Sequence, residues 1–136
     1  MKFVTDRTES DVLLRTEKGV YGPEDLNRVE SAVQELARMA LALDVHVSPT
    51  VKTNWNVQSV FSADEWPVAA NLARYLRNVW DLCNACSVNM PLPASMDCMT
   101  WEDANNIENA LQSVYDRIRS VVQTYKFSGE LFAGEG

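Results

Sequence analysis

A single histidine, His46, is all the chain offers as an ordinary neutral-pH base, and three cysteines, Cys83, Cys86 and Cys98, are all it offers as thiols. Acyl chemistry at a serine or cysteine needs a positioned base and a strained elbow such as G-x-S-x-G, and no serine here lies in one. A glycine-rich phosphate cradle of the Walker or dinucleotide type is also missing. No segment approaches the roughly 20 apolar residues of a membrane helix, and the start Met1-Lys2-Phe3-Val4-Thr5-Asp6 turns polar too soon for a signal peptide. The expectation is a chain made in the cytoplasm, its odd number of cysteines reduced rather than paired. Positive charge is scarce as well. Twelve Lys and Arg against 19 Asp and Glu give a net charge of -7, so a nucleic-acid backbone would be repelled. The densest basic spots, Arg74 with Arg77 and Arg117 with Arg119, have acidic neighbours and read as solvated helix faces.

What is present is the composition of a folding chain. Over 136 residues, 46% are hydrophobic and 23% charged, close to globular averages and enough for one core but not two. Thr8 followed by Asp11 predicts a short capped helix before Gly19. Gly22-Pro23-Glu24-Asp25 predicts a helix start, after which Leu26, Val29, Val33, Leu36, Ala40 and Leu43 recur at spacings of 3 and 4, the stripe of a helix with one buried face. A second stripe runs through Val68, Leu72, Tyr75, Val79, Leu82 and Cys86, ended by Asn89-Met90-Pro91-Leu92-Pro93. Thr100 and Asp103 form a capping box that opens a third: Ala104, Ile107, Leu111, Val114, Ile118, Val121 and Tyr125.

Three amphipathic helices hide their stripes most simply against one another. The predicted fold is therefore all-α: a three-helix antiparallel bundle over residues 1–126, with the short N-terminal helix as a lid and residues 127–136 as a flexible, non-helical tail. Residues 44–63 break the helical period and predict a long irregular loop. In it Val45, Val47, Trp55 and Val57 hint at a small hairpin, the alternative being a contact surface.

Cys83 and Cys86 form a C-x-x-C which, with Cys98 and His46, can be drawn as a zinc site. Cys86 continues a helical stripe and a second ligand pair is missing, so packed thiols are expected and no metal or cofactor. Asp25, Glu30, Glu102, Asp103 and Glu108 are expected beside helix starts or on exposed faces, serving the helix dipoles and not a catalytic carboxylate pair. Four tryptophans are many for this length. Trp55, Trp66 and Trp80, with Phe127, Glu130, Leu131 and Phe132 of the tail, are the candidate protein-contact residues, since large rigid rings anchor interfaces, the alternative and commoner fate of such tryptophans being burial in the chain's own core.

Several strings carry more than a period. Thr5-Asp6-Arg7-Thr8, Asp11-Val12, Tyr21, Asp25-Leu26-Asn27-Arg28-Val29-Glu30, Lys52-Thr53-Asn54-Trp55, Leu92-Pro93-Ala94-Ser95-Met96, Phe127-Ser128-Gly129-Glu130 and Gly134-Glu135-Gly136 occur in that order along nearly the whole chain. Together they resemble a family of small proteins and modules from phages and prophages of Gram-positive, largely Firmicutes, bacteria. The resemblance implies a virion structural part, tail-associated or at the head-tail junction, without enzymatic residues. It implies contacts with other virion proteins and with copies of itself, and no nucleic-acid or membrane partner. The alternative is a small cytoplasmic phage-encoded module that binds a host protein. In either case Asp6, Arg7, Asn27, Arg28 and Glu30 are expected to tie the N-terminal segment to the first long helix.

Overall fold

A computed structural model describes the backbone of residues 2–16, 22–55, 66–95 and 99–135, and their side chains apart from those of residues 66–69 and 123–135. Four helices and no strand are found among the described residues: α1 (Glu9–Leu13), α2 (Pro23–Ala42), α3 (Trp66–Ala85) and α4 (Trp101–Glu135). The three long helices each pack on the other two, which makes the fold an all-α bundle as expected.

Both predicted capping boxes form. Thr8 Oγ1 accepts from the Asp11 N–H at 3.2 Å while Asp11 Oδ2 accepts from the Thr8 N–H, and Thr100 and Asp103 repeat the exchange at the start of α4. At α2 the Gly22 N–H donates to Asp25 Oδ2 at 3.0 Å, and Pro23 occupies the first turn, where its missing N–H costs nothing. The C-terminal ends share one device. Val45 N–H reaches Ala40 O and Asp44 N–H reaches Leu41 O; Val88 reaches Cys83 and Ser87 reaches Asn84 in the same way. In these Schellman caps the left-handed residues are Asp44 (φ 66°) and Ser87 (φ 57°), where glycine is usual. Val45 and Val88 then turn back onto the core. The third helix therefore stops at its own cap, before the prolines that the sequence suggested as its terminators.

The core is the union of the three stripes. Leu26, Val29, Val33, Leu36 and Ala40 meet Tyr75, Val79, Leu82 and Cys86, and both meet Ala104, Ile107, Leu111, Val114 and Ile118. Of the positions predicted to be buried, Leu43 and Leu72 are partly buried, Val121 is exposed, and the side chains of Val68 and Tyr125 lie outside those described.

Helix direction differs from the expectation. Glu108 near the start of α4 is bonded to Arg28 near the start of α2, and Arg74 of α3 lies beside Glu30. At the opposite end one cavity is lined jointly by Ala40 and Leu43, by Ala85 to Ser87, and by Arg117, Ile118 and Val121. All three helices thus run the same way, and the bundle is parallel where alternation was predicted. The reason lies in the connections. Residues 43–65 and 86–100 must each return along the bundle, and even the shorter, at about 3.3 Å per residue, can span about 50 Å against about 30 Å for a twenty-residue helix. Short loops force antiparallel neighbours; these loops are not short.

Two further corrections follow. The described part of the predicted loop, residues 44–55, is an irregular return strap and not one arm of a hairpin; Val57 lies outside the described residues. The backbone after residue 126 stays helical through Glu135, where a non-helical tail from Phe127 was predicted. Propagating an existing helix adds one hydrogen bond per residue, and no proline after Thr100 interrupts it.

Candidate functional site

The most distinctive chemistry is a set of charged side chains buried at the N-terminal half of the bundle. The extended segment before α1 lies against α2 and α4, and Arg7 on it is only 3% exposed. Its Nη2 lies 2.6 Å from Glu108 Oε2 and 3.2 Å from Asp25 Oδ1. Its Nη1 donates to Val4 O at 2.9 Å and to Asn105 Oδ1 at 3.3 Å. Asn105 also grips the Arg7 main chain, accepting from its N–H at 3.0 Å and donating to its carbonyl at 2.9 Å. Fully buried Glu108 receives the Val4 N–H at 3.0 Å and both Nε and Nη2 of Arg28 at 2.8 Å. Arg28 Nη2 also reaches Asp25 Oδ1 at 2.6 Å. Two guanidiniums thus face two carboxylates, and the Arg28 guanidinium is held in its charged form above its ordinary range, chiefly by its bond to Glu108. Asp25 serves twice, one oxygen capping α2 and the other closing the ion cluster.

A second cluster secures the return strap. Asn27 exchanges two bonds with the Trp55 main chain, donating to its carbonyl at 2.9 Å and accepting its N–H at 2.7 Å. Glu30, 1% exposed, accepts the Lys52 N–H at 3.2 Å on one oxygen and the Trp55 indole N–H on the other. Arg74 Nη2 lies 3.5 Å from Glu30 Oε1 across the α2–α3 interface. Burial pushes the Glu30 carboxyl above its ordinary range, only partly opposed by the bonds from Trp55 and Lys52. From α3, Asn78 adds a bond to Thr50 O at 2.8 Å.

These two clusters revise the expected roles. Glu30 and Glu108 were read as exposed or dipole-serving acids and are instead buried anchors, whereas Glu102 and Asp103 do stand in the first turn of α4. Arg7 and Arg28 tie the N-terminal segment to the first long helix as expected, with Glu108 of α4 as a third party. Asn27 and Glu30 hold the strap. The N-terminal tether is this segment and not the short helix after it, whose Leu13 and Leu14 are about three-quarters exposed. Their signal was available in part: Glu30 follows Leu26 by four residues and Glu108 follows Ala104 by four, which places both acids beside the buried stripes.

Of the candidate contact residues, Trp55 is not at the surface. Its ring is buried and its N–H spent on Glu30, because the strap turns inward there. Trp80 remains 37% exposed, its N–H donating to Pro93 O at 3.1 Å. Trp66 is the first residue of α3, and Phe127, Glu130, Leu131 and Phe132 belong to α4; their side chains lie outside those described. Cys83 and Cys86 are buried and His46 is exposed 3.0 Å from Asp44, while Cys98 lies outside the described residues. Among the described residues no three His, Cys, Asp or Glu side chains gather as a metal would require. Burial pushes the Cys83 thiol up to about 11 and raises Cys86 too, leaving both as poor nucleophiles at neutral pH.

A cavity of about 440 Å³ opens beside the first cluster, lined by Arg7, Val12, Met99, Thr100, Trp101, Glu102 and Ala104. Of its polar members, Arg7 is engaged in the ion cluster and Thr100 in the cap. The arrangement as a whole is a clamp. It converts buried charge into fixed positions for two extended segments on a parallel helical bundle. No protein-family model matches the chain, and no curated protein or solved structure matches it either.

Proposed function

We propose that this chain is a structural and assembly part of a phage particle, tail-associated or at the head-tail junction, that works through protein-protein contacts with other virion proteins and with copies of itself. The observation that carries the reading is where the sequence blocks meet. Those that resemble the phage family include Thr5 to Thr8, Asp25 to Glu30 and Lys52 to Trp55, and these supply Arg7, Asp25, Asn27, Arg28, Glu30, Lys52 and Trp55 of the two buried clusters. The block residues are thus used to hold shape. Their chemistry suits a part that must present fixed surfaces to neighbours, since a satisfied buried polar network favours one arrangement of the chain over others.

Symmetric repetition lets a modest contact per copy suffice through avidity. The deciding experiment is quantitative mass spectrometry of purified particles from the source phage or induced prophage, scaled to the major capsid protein. A constant copy number per particle supports the reading. Absence from particles, with capture of a specific host protein from infected cells, sinks it in favour of the cytoplasmic binding module.

A further inference from the structure

The large apolar side chains left exposed among the described residues gather at the two ends of the bundle. Val12, Leu13 and Leu14 of α1 stand at the end where the long helices begin; Leu41 of α2 and Val121 and Val122 of α4 stand where α2 and α3 stop. Only Trp80 lies between. The first end is a knob. α1 buries none of its residues, yet it is firmly closed: Thr8 and Asp11 cap its start, and at its finish Thr16 donates from its N–H to Asp11 O at 3.0 Å and from Oγ1 to Asp11 Oδ1 at 2.9 Å. Arg15 is held in between at φ 53°, a conformation that most side chains avoid. The turn is thus fixed in a shape that keeps Leu13 and Leu14 outside.

The other end is a hole. Its groove of about 240 Å³, lined by Leu43, Val45, Cys86, Arg117, Ile118 and Val121, is smaller than the roughly 300 Å³ at which small-molecule sites begin, and suits an inserted side chain better than a ligand. Charge matches the two. Arg117 is the one charged side chain in the lining among the described residues, and none of these gives it a hydrogen bond or ion pair; exposed Glu9 on α1 is likewise without a described partner. Glu9 and Leu13, four residues apart, share one face of α1, as Arg117 and Val121 share one face of α4. An acid beside a leucine therefore meets a base beside an apolar groove at the same spacing. Knob and hole lie at opposite ends of helices about 30 Å long, so they cannot meet within one copy.

We infer that α1 of one copy docks in the groove at the far end of a second copy, Leu13 entering beside Val121 and Glu9 pairing with Arg117. The contact is head-to-tail, so each copy keeps a free knob or hole, and association continues until it closes as a ring or extends as a filament. The place of this contact in a particle rests on the assembly role proposed above; the contact itself does not.

Sedimentation of the purified full-length chain tests it. With 15.3 kDa per chain, wild type should form species larger than the dimer of about 31 kDa as concentration rises. Leu13→Asp spoils the knob and Val121→Asp the hole, and each variant alone should be a monomer with the circular dichroism spectrum and urea midpoint of wild type. Mixed one to one, they should give a heterodimer of about 31 kDa and nothing larger, because one intact knob meets one intact hole. Arg117→Glu should weaken wild-type association several-fold, and Arg117→Glu with Glu9→Arg should restore it. A monomer at every concentration assigns the two surfaces to other proteins and overturns the inference. So does a mixture that stays monomeric, or either single variant associating as wild type does. Presence in particles is read separately: association in a chain absent from virions keeps the contact and discards the assembly role, and a monomer found in virions does the reverse.

Discussion

Replacing Arg7 by alanine is the sharpest perturbation of this fold. Its guanidinium is almost wholly buried between Glu108 and Asp25, at 2.6 and 3.2 Å, and also holds Val4 O and Asn105. Removing one partner of a buried ion pair typically costs about 3–5 kcal/mol, because the other charge is left without compensation. Glu108 would keep the two bonds from Arg28, so the low end applies, about 3 kcal/mol, a large part of the roughly 5–15 kcal/mol that stabilises an ordinary domain. Urea unfolding followed by circular dichroism measures the loss. Amide exchange across residues 3–8 should rise by more than the global change, since that segment is held by the same groups. The double replacement Arg7→Met with Glu108→Leu should not recover the deficit, because Glu108 is also the acceptor of the Arg28 guanidinium and of the Val4 N–H, which it would leave without that partner. A loss below about 1 kcal/mol for Arg7→Ala, with unchanged exchange in the N-terminal segment, would refute the reasoning, since it lies in the range of exposed pairs.

Four other outcomes are expected. Trp55→Phe leaves a Glu30 oxygen without its indole donor and should cost about 1–3 kcal/mol in thermal or urea unfolding. Because the folded Glu30 carboxyl is raised above its ordinary 4.5, the folded state takes up its proton first, and its contribution to stability is largest below the unfolded value and lost as pH rises through the folded one. Wild type should therefore gain on Glu30→Gln as pH falls from about 7 to about 4, and a difference that is flat or of opposite sign would contradict this. Burial raises the Cys83 thiol from 9.0 to about 11, so its thiolate fraction at neutral pH falls about a hundredfold, and peptide mapping after iodoacetamide should show slow labelling in the native protein and fast labelling in denaturant. Finally, Thr100→Ala should cost about 1 kcal/mol globally, whereas Thr8→Ala, which removes the same cap from a helix that buries none of its residues, should change only local exchange in α1.

Much of the architecture is legible in the chain by itself, and the reasons are local. The 3-and-4 spacings of apolar residues, the Thr8–Asp11 and Thr100–Asp103 boxes and Pro23 all act within a turn or two of helix, so helix number and type and most of the buried stripe follow without tertiary context. Three of the places where expectation and structure part are non-local. Helix direction depends on where the return segments lie; these are fixed by Asn27, Glu30 and Asn78 reaching across 22 to 28 residues to the backbone of the strap. The clamp depends on Arg7 meeting Glu108 at a sequence separation of 101, and an isolated acid beside a stripe does not announce a partner so far away. Trp55 is a candidate contact residue by sequence because it is a large rigid ring in a predicted loop, and only the packing of the strap against α2 turns it inward. Composition and periodicity therefore determined that this is a one-core helical protein. Tertiary structure alone decided that its helices run parallel and that its buried charges close a clamp, because ion pairs and loop paths are settled between segments that the sequence keeps far apart.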